Sequence, residues 1–365
     1  AEQVVIRHLA VTPPSRRASD WRTAIFLFAL VRAARGSPAG ATYLAYVRDF
    51  YAAHEARGAR GVSCPDQAVL ALAAAELAGD RGEPVGLRTL ALARGFFATE
   101  PVNELGVRDH VGARHRFRPW LPLTRRFTRP AIWVDSLVMA VLTEARLAAL
   151  DGDPARLGEV SDAALVYVEH LQAPGGLFKH AYYYVPDVTA PRGEAAWLRG
   201  HAWAMLALGE LIELLPVEHP RRPALVESFR RGARGLVAAR ATPGGLWPTL
   251  LGHDGARNPA EVSGSLLAGY ALAKGHRLGL VEGWALAAAR RTWGGMLHEL
   301  GSGRDHSLHL GGASGPTNPS VRPSSYTSPL RREARDAGHA LAGLLLLASE
   351  LEPPPRRVNK PPDLG

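Results

Sequence analysis

Apolar positions recur along this chain at helical spacing almost throughout. Val134, Leu137, Val138, Val141, Leu142 and Ala145 share one helix face. Val69, Leu72, Ala73 and Leu77 repeat the pattern, with Glu76 intruding. The same spacing predicts helices over about 20–35, 41–57, 84–98, 155–172, 197–215, 222–240, 262–278, 283–300 and 334–351. Turn signals separate them: Gly-Ser-Pro at 36–38, Gly-Asp-Arg-Gly at 79–82, Asp-Gly-Asp-Pro at 151–154, and Pro-Gly-Gly at both 174–176 and 243–245. Period-two alternation is scarce, and Phe178–Val185 reads at most as a short strand in a loop. The fold class is all-α.

The helices pair, and the pairs repeat. First helices are expected to begin near 20, 66, 133, 197, 262 and 334, a period of roughly sixty residues. Part of the repeat is visible in letters. Ala-Pro-Gly-Gly-Leu-Phe (173–178) precedes a helix that opens Arg-Gly-His, and Thr-Pro-Gly-Gly-Leu-Trp (242–247) precedes one that opens Ser-Gly-Ser. Six such hairpins either stack as an open solenoid or close into a ring. Closure would bury the first helix of each pair and gather the preceding loops around one mouth. Residues 1–352 are expected to form this single domain, and 353–365, with five prolines, an extended tail.

Composition narrows the chemistry. Cys64 is the lone cysteine, which excludes a disulfide framework, a thiolate zinc site and an iron–sulfur cluster. No apolar run approaches the ~18–20 residues that span a bilayer, so no membrane partner is expected. The formal charge is +9, but 40 of the 43 basic residues are Arg scattered along the chain, apart from a stretch at 114–129. That is compositional bias rather than a phosphate-binding face, so no nucleic-acid partner is expected and an anionic small substrate fits better. The chain opens Ala-Glu-Gln without a charged-then-apolar leader, which reads as cytoplasmic; a removed signal would look the same.

The unusual polar residues sit where first helices begin. Asp66 follows Cys64-Pro65, Asp135 follows Trp133-Val134, and Arg199 and His201 flank Gly200. An isolated Asp before a helix ordinarily caps it. In a ring, however, these helix starts would meet, and two carboxylates, an Arg, a His and Trp residues are what a sugar-cleaving pocket needs. Other chemistries fail on spacing. His306 and His309 lie in a Gly-rich loop with one Asp nearby, a weak metal set, and Val262-Ser-Gly-Ser265 lacks the first Gly of a nucleophile elbow. Cys64 reads as a small buried hydrophobe.

Four blocks resemble the unsaturated rhamnogalacturonyl hydrolases and the related unsaturated glucuronyl hydrolases, glycoside hydrolase families 105 and 88. They are Ile132-Trp-Val-Asp-Ser136; Gly-Gly-Leu-Phe-Lys-His180 with Trp197-Leu-Arg-Gly-His-Ala-Trp203; Gly-Gly-Leu-Trp247 with Glu261-Val-Ser-Gly-Ser265 and Tyr270-Ala-Leu-Ala-Lys-Gly275; and Tyr326-Thr-Ser-Pro with Asp336-Ala-Gly338 and Leu-Ala-Ser-Glu350. Their order and spacing agree over 60–351.

The resemblance implies an (α/α)6 barrel, a six-hairpin toroid. It also implies hydration of the 4,5-double bond of an unsaturated uronyl sugar at the non-reducing end of an anionic oligosaccharide, with release of the partner sugar. Asp135 then matches the general acid/base and Asp66 the second acidic residue. Trp133, His180, Trp197, Arg199 and Trp203 match substrate-contacting positions, with His201 at a variable one. No metal or organic cofactor is implied. The alternatives are a conventional inverting glycosidase that uses Asp66 and Asp135 as its acid–base pair, and a noncatalytic glycan- or protein-binding toroid.

The chain departs from the family pattern at three places. Ser136 stands where a second Asp often follows the Trp-x-Asp motif, Ala181-Tyr-Tyr-Tyr184 replaces a polar continuation, and the loop before Trp133 is Arg-rich.

Overall fold

A helix that is apolar all round must be enclosed on every side. Six segments of this chain meet that description. The computed structural model describes residues 1–59, 61–112, 130–255, 257–303, 306–328 and 335–352. The tail at 353–365 and the whole of the Arg-rich 114–129 stretch lie outside the described residues. Following α1 (Glu2–Val11), the first hairpin pairs α2 (Trp21–Ala33) with α3 (Gly40–Ala56). The second runs through α4 (Pro65–Ala68), α5 (Ala71–Arg81) and α6 (Leu87–Thr99). The third joins a π-helical turn (Leu137–Leu142) to α7 (Thr143–Asp151) and α8 (Pro154–Leu171). Then come α9 (Leu198–Leu214) with α10 (Arg222–Ala238), α11 (Val262–Arg277) with α12 (Gly283–Leu297), and finally α13 (Gly338–Leu351).

Helix α2 packs on α5, α5 on α7, the π-turn on α9, α9 on α11, α11 on α13, and α13 returns to α2. The ring is therefore closed, and the open solenoid is excluded. Its inner helices are buried continuously, α9 from Leu198 to Ile212 and α11 from Val262 to Gly275. The outer helices bury one stripe each; in α10 that stripe is Leu225, Phe229, Ala233 and Leu236. The toroid expected from the repeat is the observed architecture.

Three local departures bear on the site. The predicted second inner helix breaks at Val69–Leu70 into α4 and α5. The helical run after Val134 is wound as a π-turn, whose wide loop is closed by the Thr143 hydroxyl donating to Val138 O at 3.2 Å. Short antiparallel strands also fasten the mouth. β1 (Ala131–Trp133) pairs with β2 (Ala181–Tyr184), Trp133 opposite Ala181, and β2 pairs with β3 (Asp187–Ala190). β4 (Ala196–Trp197) pairs with β5 (Leu250–Leu251), and β6 (Leu300–Ser302) with β7 (Leu308–Leu310).

The repeated Pro-Gly-Gly turns are structural equivalents. Gly176 and Gly245 have φ of +91° and +88°, and a Cβ on either would strike a backbone carbonyl of the next outer helix, Arg231 or Arg291. Each turn is also tied to an inner helix. Phe178 N donates to His201 Nδ1 at 3.2 Å, and Trp247 N donates to Ser265 Oγ at 2.9 Å.

Candidate active site

The inner-helix starts converge at one mouth of the ring, as closure demands. Asp66 lies in the first turn of α4, and Asp135 lies between β1 and the π-turn. Neither carboxylate caps its helix, because the positions before those helices, Cys64 and Ser136, make no side-chain cap. The capping reading of these two residues is thereby removed. Carboxylate caps occur instead at Asp20, Asp153 and Glu261.

The small sheet delivers His180. Val134 N donates to His180 O, and His180 N donates to Ala190 O, both at 2.8 Å. This stations the imidazole beside Asp135, with His180 Nε2 3.2 Å from Asp135 Oδ2 but off the hydrogen-bond axis. Trp197 lies against the other face of the ring, centroids 4.1 Å apart, and Trp133 stands edge-on at 6.0 Å. On the far side of Trp133, His110 stacks at 4.6 Å and places Nε2 3.4 Å from Asp66 Oδ1. His110 thus stands between the second and third helix starts. Asp66, Asp135 and Trp133 keep partial exposure, and the two imidazoles are buried.

Burial pushes the Asp66 carboxyl up, and the neighbouring Asp135 and Asp20 reinforce that against His110. Asp135 ends on the other side. Burial would raise it too, but His180, His110 and Arg199 outweigh burial and hold it below the ordinary carboxylate value. Burial keeps His180 below its usual value despite Asp135. A carboxyl held up beside a carboxylate held down is the arrangement of an acid–base pair.

Arg199 reaches the mouth but spends its fork on the protein. Its guanidinium lies over Trp197 at 4.7 Å and donates to Ser314 O and Gly315 O, both at 2.7 Å, and to Ser314 Oγ at 2.5 Å. It therefore pins the 312–315 loop and contributes positive charge to the site. Glu261, capping α11 through Ser263 N and Gly264 N, also accepts from Ser314 N.

Six of the eight residues predicted from sequence meet here: Asp66, Asp135, Trp133, His180, Trp197 and Arg199. Two do not. His201 faces the outer layer and ties down the Gly-Gly-Leu-Phe turn, the job that Ser265 does one repeat later; burial lowers it to about 3. Trp203 is fully buried in the core, edge-on to Trp21 at 6.2 Å. His309, in the weak metal set, lies between Ser307 Oγ and Asp336. His110 was not predicted, since a lone His in a loop carries no spacing signal. Tyr326, quoted only within a motif, contacts His180 Nδ1 through its hydroxyl at 3.1 Å.

A family model described as Glycosyl Hydrolase Family 88 matches residues 4–349. The chain belongs to that family. An unsaturated 3S-rhamnoglycuronyl hydrolase from Alteromonas sp. (strain LOR) is 31% identical over 153 residues, which is 41% of this chain and 36% of that relative. Protein Atu3128 of Agrobacterium fabrum is 34% identical over 133 residues, 34% of this chain and 56% of that protein. The chain thus spans well under two thirds of the curated relatives it matches. A family 105 glycoside hydrolase structure from C. acetobutylicum superposes with a TM-score of 0.81 at 18% identity, covering 96% of this chain and 97% of that one. That likeness is one of fold. Among the described residues of this family 88 chain, no helix is long and apolar enough to cross a membrane.

Proposed function

We propose that this family 88 chain is an unsaturated uronyl hydrolase. It would hydrate the C4=C5 bond of the unsaturated uronyl residue that a polysaccharide lyase leaves at a non-reducing end, and so release the attached sugar. The observation that carries this reading is the mouth itself. Asp66, pushed above the ordinary carboxyl value by burial, and Asp135, held below it by the neighbouring imidazoles and Arg199, flank His110 and share an aromatic wall with His180. The name of the Alteromonas relative supports the same activity.

C4=C5 joined to the ring oxygen is a vinyl ether. A proton added to C4 leaves positive charge shared by C5 and the ring oxygen, which a nearby carboxylate stabilises. Water then adds to C5 and loses a proton to a base. The resulting hemiketal opens to a ketone, and C1 becomes a hemiacetal that expels the partner sugar. Asp135, as the resemblance implies, donates and recovers the proton, and Asp66 holds it before the uronate enters. The uronate's negative charge beside Asp135 raises that carboxyl, drawing the proton toward C4. Trp133 offers the sugar a stacking face, and Arg199 offsets the uronate charge.

Incubation with lyase-generated disaccharides from rhamnogalacturonan, glycosaminoglycans and other uronate polymers tests this. The double-bond ultraviolet absorbance should fall with at least one of them. Retention of absorbance with every substrate contradicts the proposal.

A further inference from the structure

The run Ala181-Tyr-Tyr-Tyr184, where this chain departs from the family pattern, leaves the candidate site along a strand. His180 stands beside Asp135, and β2 begins at the next residue. Each further step along β2 therefore leads away from the two carboxylates. Successive side chains of a strand alternate between its two faces, so the register decides which tyrosines turn where.

Tyr182 fixes the rear face. Its ring stacks on His170 of α8, with centroids 4.7 Å apart and planes 9° apart, and its register partner Ile132 is fully buried. The opposite face carries Ala131 and Trp133 on β1, Ala181 and Tyr183 on β2, and Val188 and Ala190 on β3. Trp133 meets both His110 and His180, so this face looks into the mouth. Trp133 pairs with Ala181, which makes Tyr183 its diagonal neighbour on β2. Such neighbours lie about 7–8 Å apart, within reach of aromatic side chains. Ala131, Ala181 and Ala190 add little bulk between the two rings, and both Trp133 and Tyr183 keep partial exposure.

We propose that Tyr183 is a substrate-binding residue, whose ring is a stacking platform for the pyranose attached to the unsaturated uronyl residue. That pyranose is the sugar the reaction releases, so the inference rests on the function proposed above and assigns a subsite within it. The unsaturated ring has to lie between Asp66 and Asp135, beside Trp133, for its double bond to be protonated. The attached sugar then lies further out, and along the Trp133 face the next aromatic ring outward is Tyr183. A pyranose presents an apolar C–H face to such a ring, and the phenol adds a polar tip at its edge.

The test compares two substrates: the lyase-generated disaccharide that the parent consumes best, and the methyl glycoside of the same unsaturated uronate, which has no second ring to stack. In Tyr183→Ala the disaccharide KM should rise by about 3–10-fold with kcat within about twofold, and the preference for disaccharide over methyl glycoside should fall by the KM factor. Tyr183→Leu keeps bulk without the ring and should lose the same preference, which covers an alanine variant that does not fold. Tyr183→Phe keeps the ring and should retain it. Tyr182→Ala alters the rear face of the same strand and should lower Tm while keeping the preference. A merely structural role for Tyr183 would raise KM for both substrates alike, or lower Tm without touching the preference. Either result, or an equal loss of preference in Tyr182→Ala, would overturn the proposal. A parent that consumes no unsaturated uronate would contradict the functional reading instead. Calorimetric titration with the same disaccharides then decides the platform: affinity weakened about 3–10-fold in Tyr183→Ala supports it, and equal affinity or no binding overturns it.

Discussion

Asp135 has no capping duty, so replacing it isolates chemistry from folding. Asp135→Asn preserves shape, and its thermal unfolding should stay close to that of the parent. Its double-bond turnover should fall by ~10²–10⁴-fold, the contribution of a positioned acid–base group. A folded variant with near-parental turnover would remove Asp135 from the mechanism. Trp203 makes the opposite case. Its fully buried indole predicts that Trp203→Ala costs about 3–5 kcal/mol of stability, read from denaturant midpoints, before any effect on binding. The residues legible in the sequence were those at helix starts, where periodicity and motif coincide, and His180, which the motif alone carried. His110 has neither signal, and only the closed ring puts it against Trp133 and Asp66.

The six inner helices were legible because burial on every side writes long apolar runs. Of the strands only β2 was legible, inside the Phe178–Val185 stretch; the others were not, since segments of two to four residues are too short to show alternation. Helix α1 was missed for a related reason: its buried face is only Val4, Val5 and Leu9, and Arg7 and His8 reach instead to Asp336 and the Phe26 ring. The repeated Pro-Gly-Gly turns were visible as letters, but their purpose needs the backbone. Gly176→Ala should cost about 1–3 kcal/mol for the positive φ alone, and more for the clash with Arg231 O. The cost would appear as a lower Tm, and an unchanged Tm would mean that the turn does not grip α10.

At the scale of the whole molecule, the ring is closed at its other end by charge. Arg32 meets Glu76 at 2.9 Å, Arg146 bridges Glu76 and Glu210, and Lys274 meets Glu210 at 2.7 Å and Glu213 at 2.5 Å. Arg277 adds Glu213 and Glu350. The motif residues Tyr270, Lys274 and Glu350 therefore belong to this plug and not to the mouth. Lys274→Met leaves buried carboxylates short of a partner and should cost about 3–5 kcal/mol. Burial would raise Glu213, but Lys274 leads the charges that hold it near 2. A carboxyl lowered by folding stabilises above its unfolded value of about 4.3 and loses that contribution as pH falls toward 2. Acid unfolding of the parent should follow that window, with Lys274→Met unfolding at higher pH.

The mouth opposite the plug carries the central claim, that the bond attacked is C4=C5 and not the anomeric bond. The direct measurement follows double-bond absorbance and released partner sugar in one reaction, on a disaccharide the protein consumes. Hydration predicts one double bond lost for each sugar released, with both signals abolished together in Asp135→Asn. Sugar released with the absorbance intact would contradict the account and make this an ordinary inverting glycosidase.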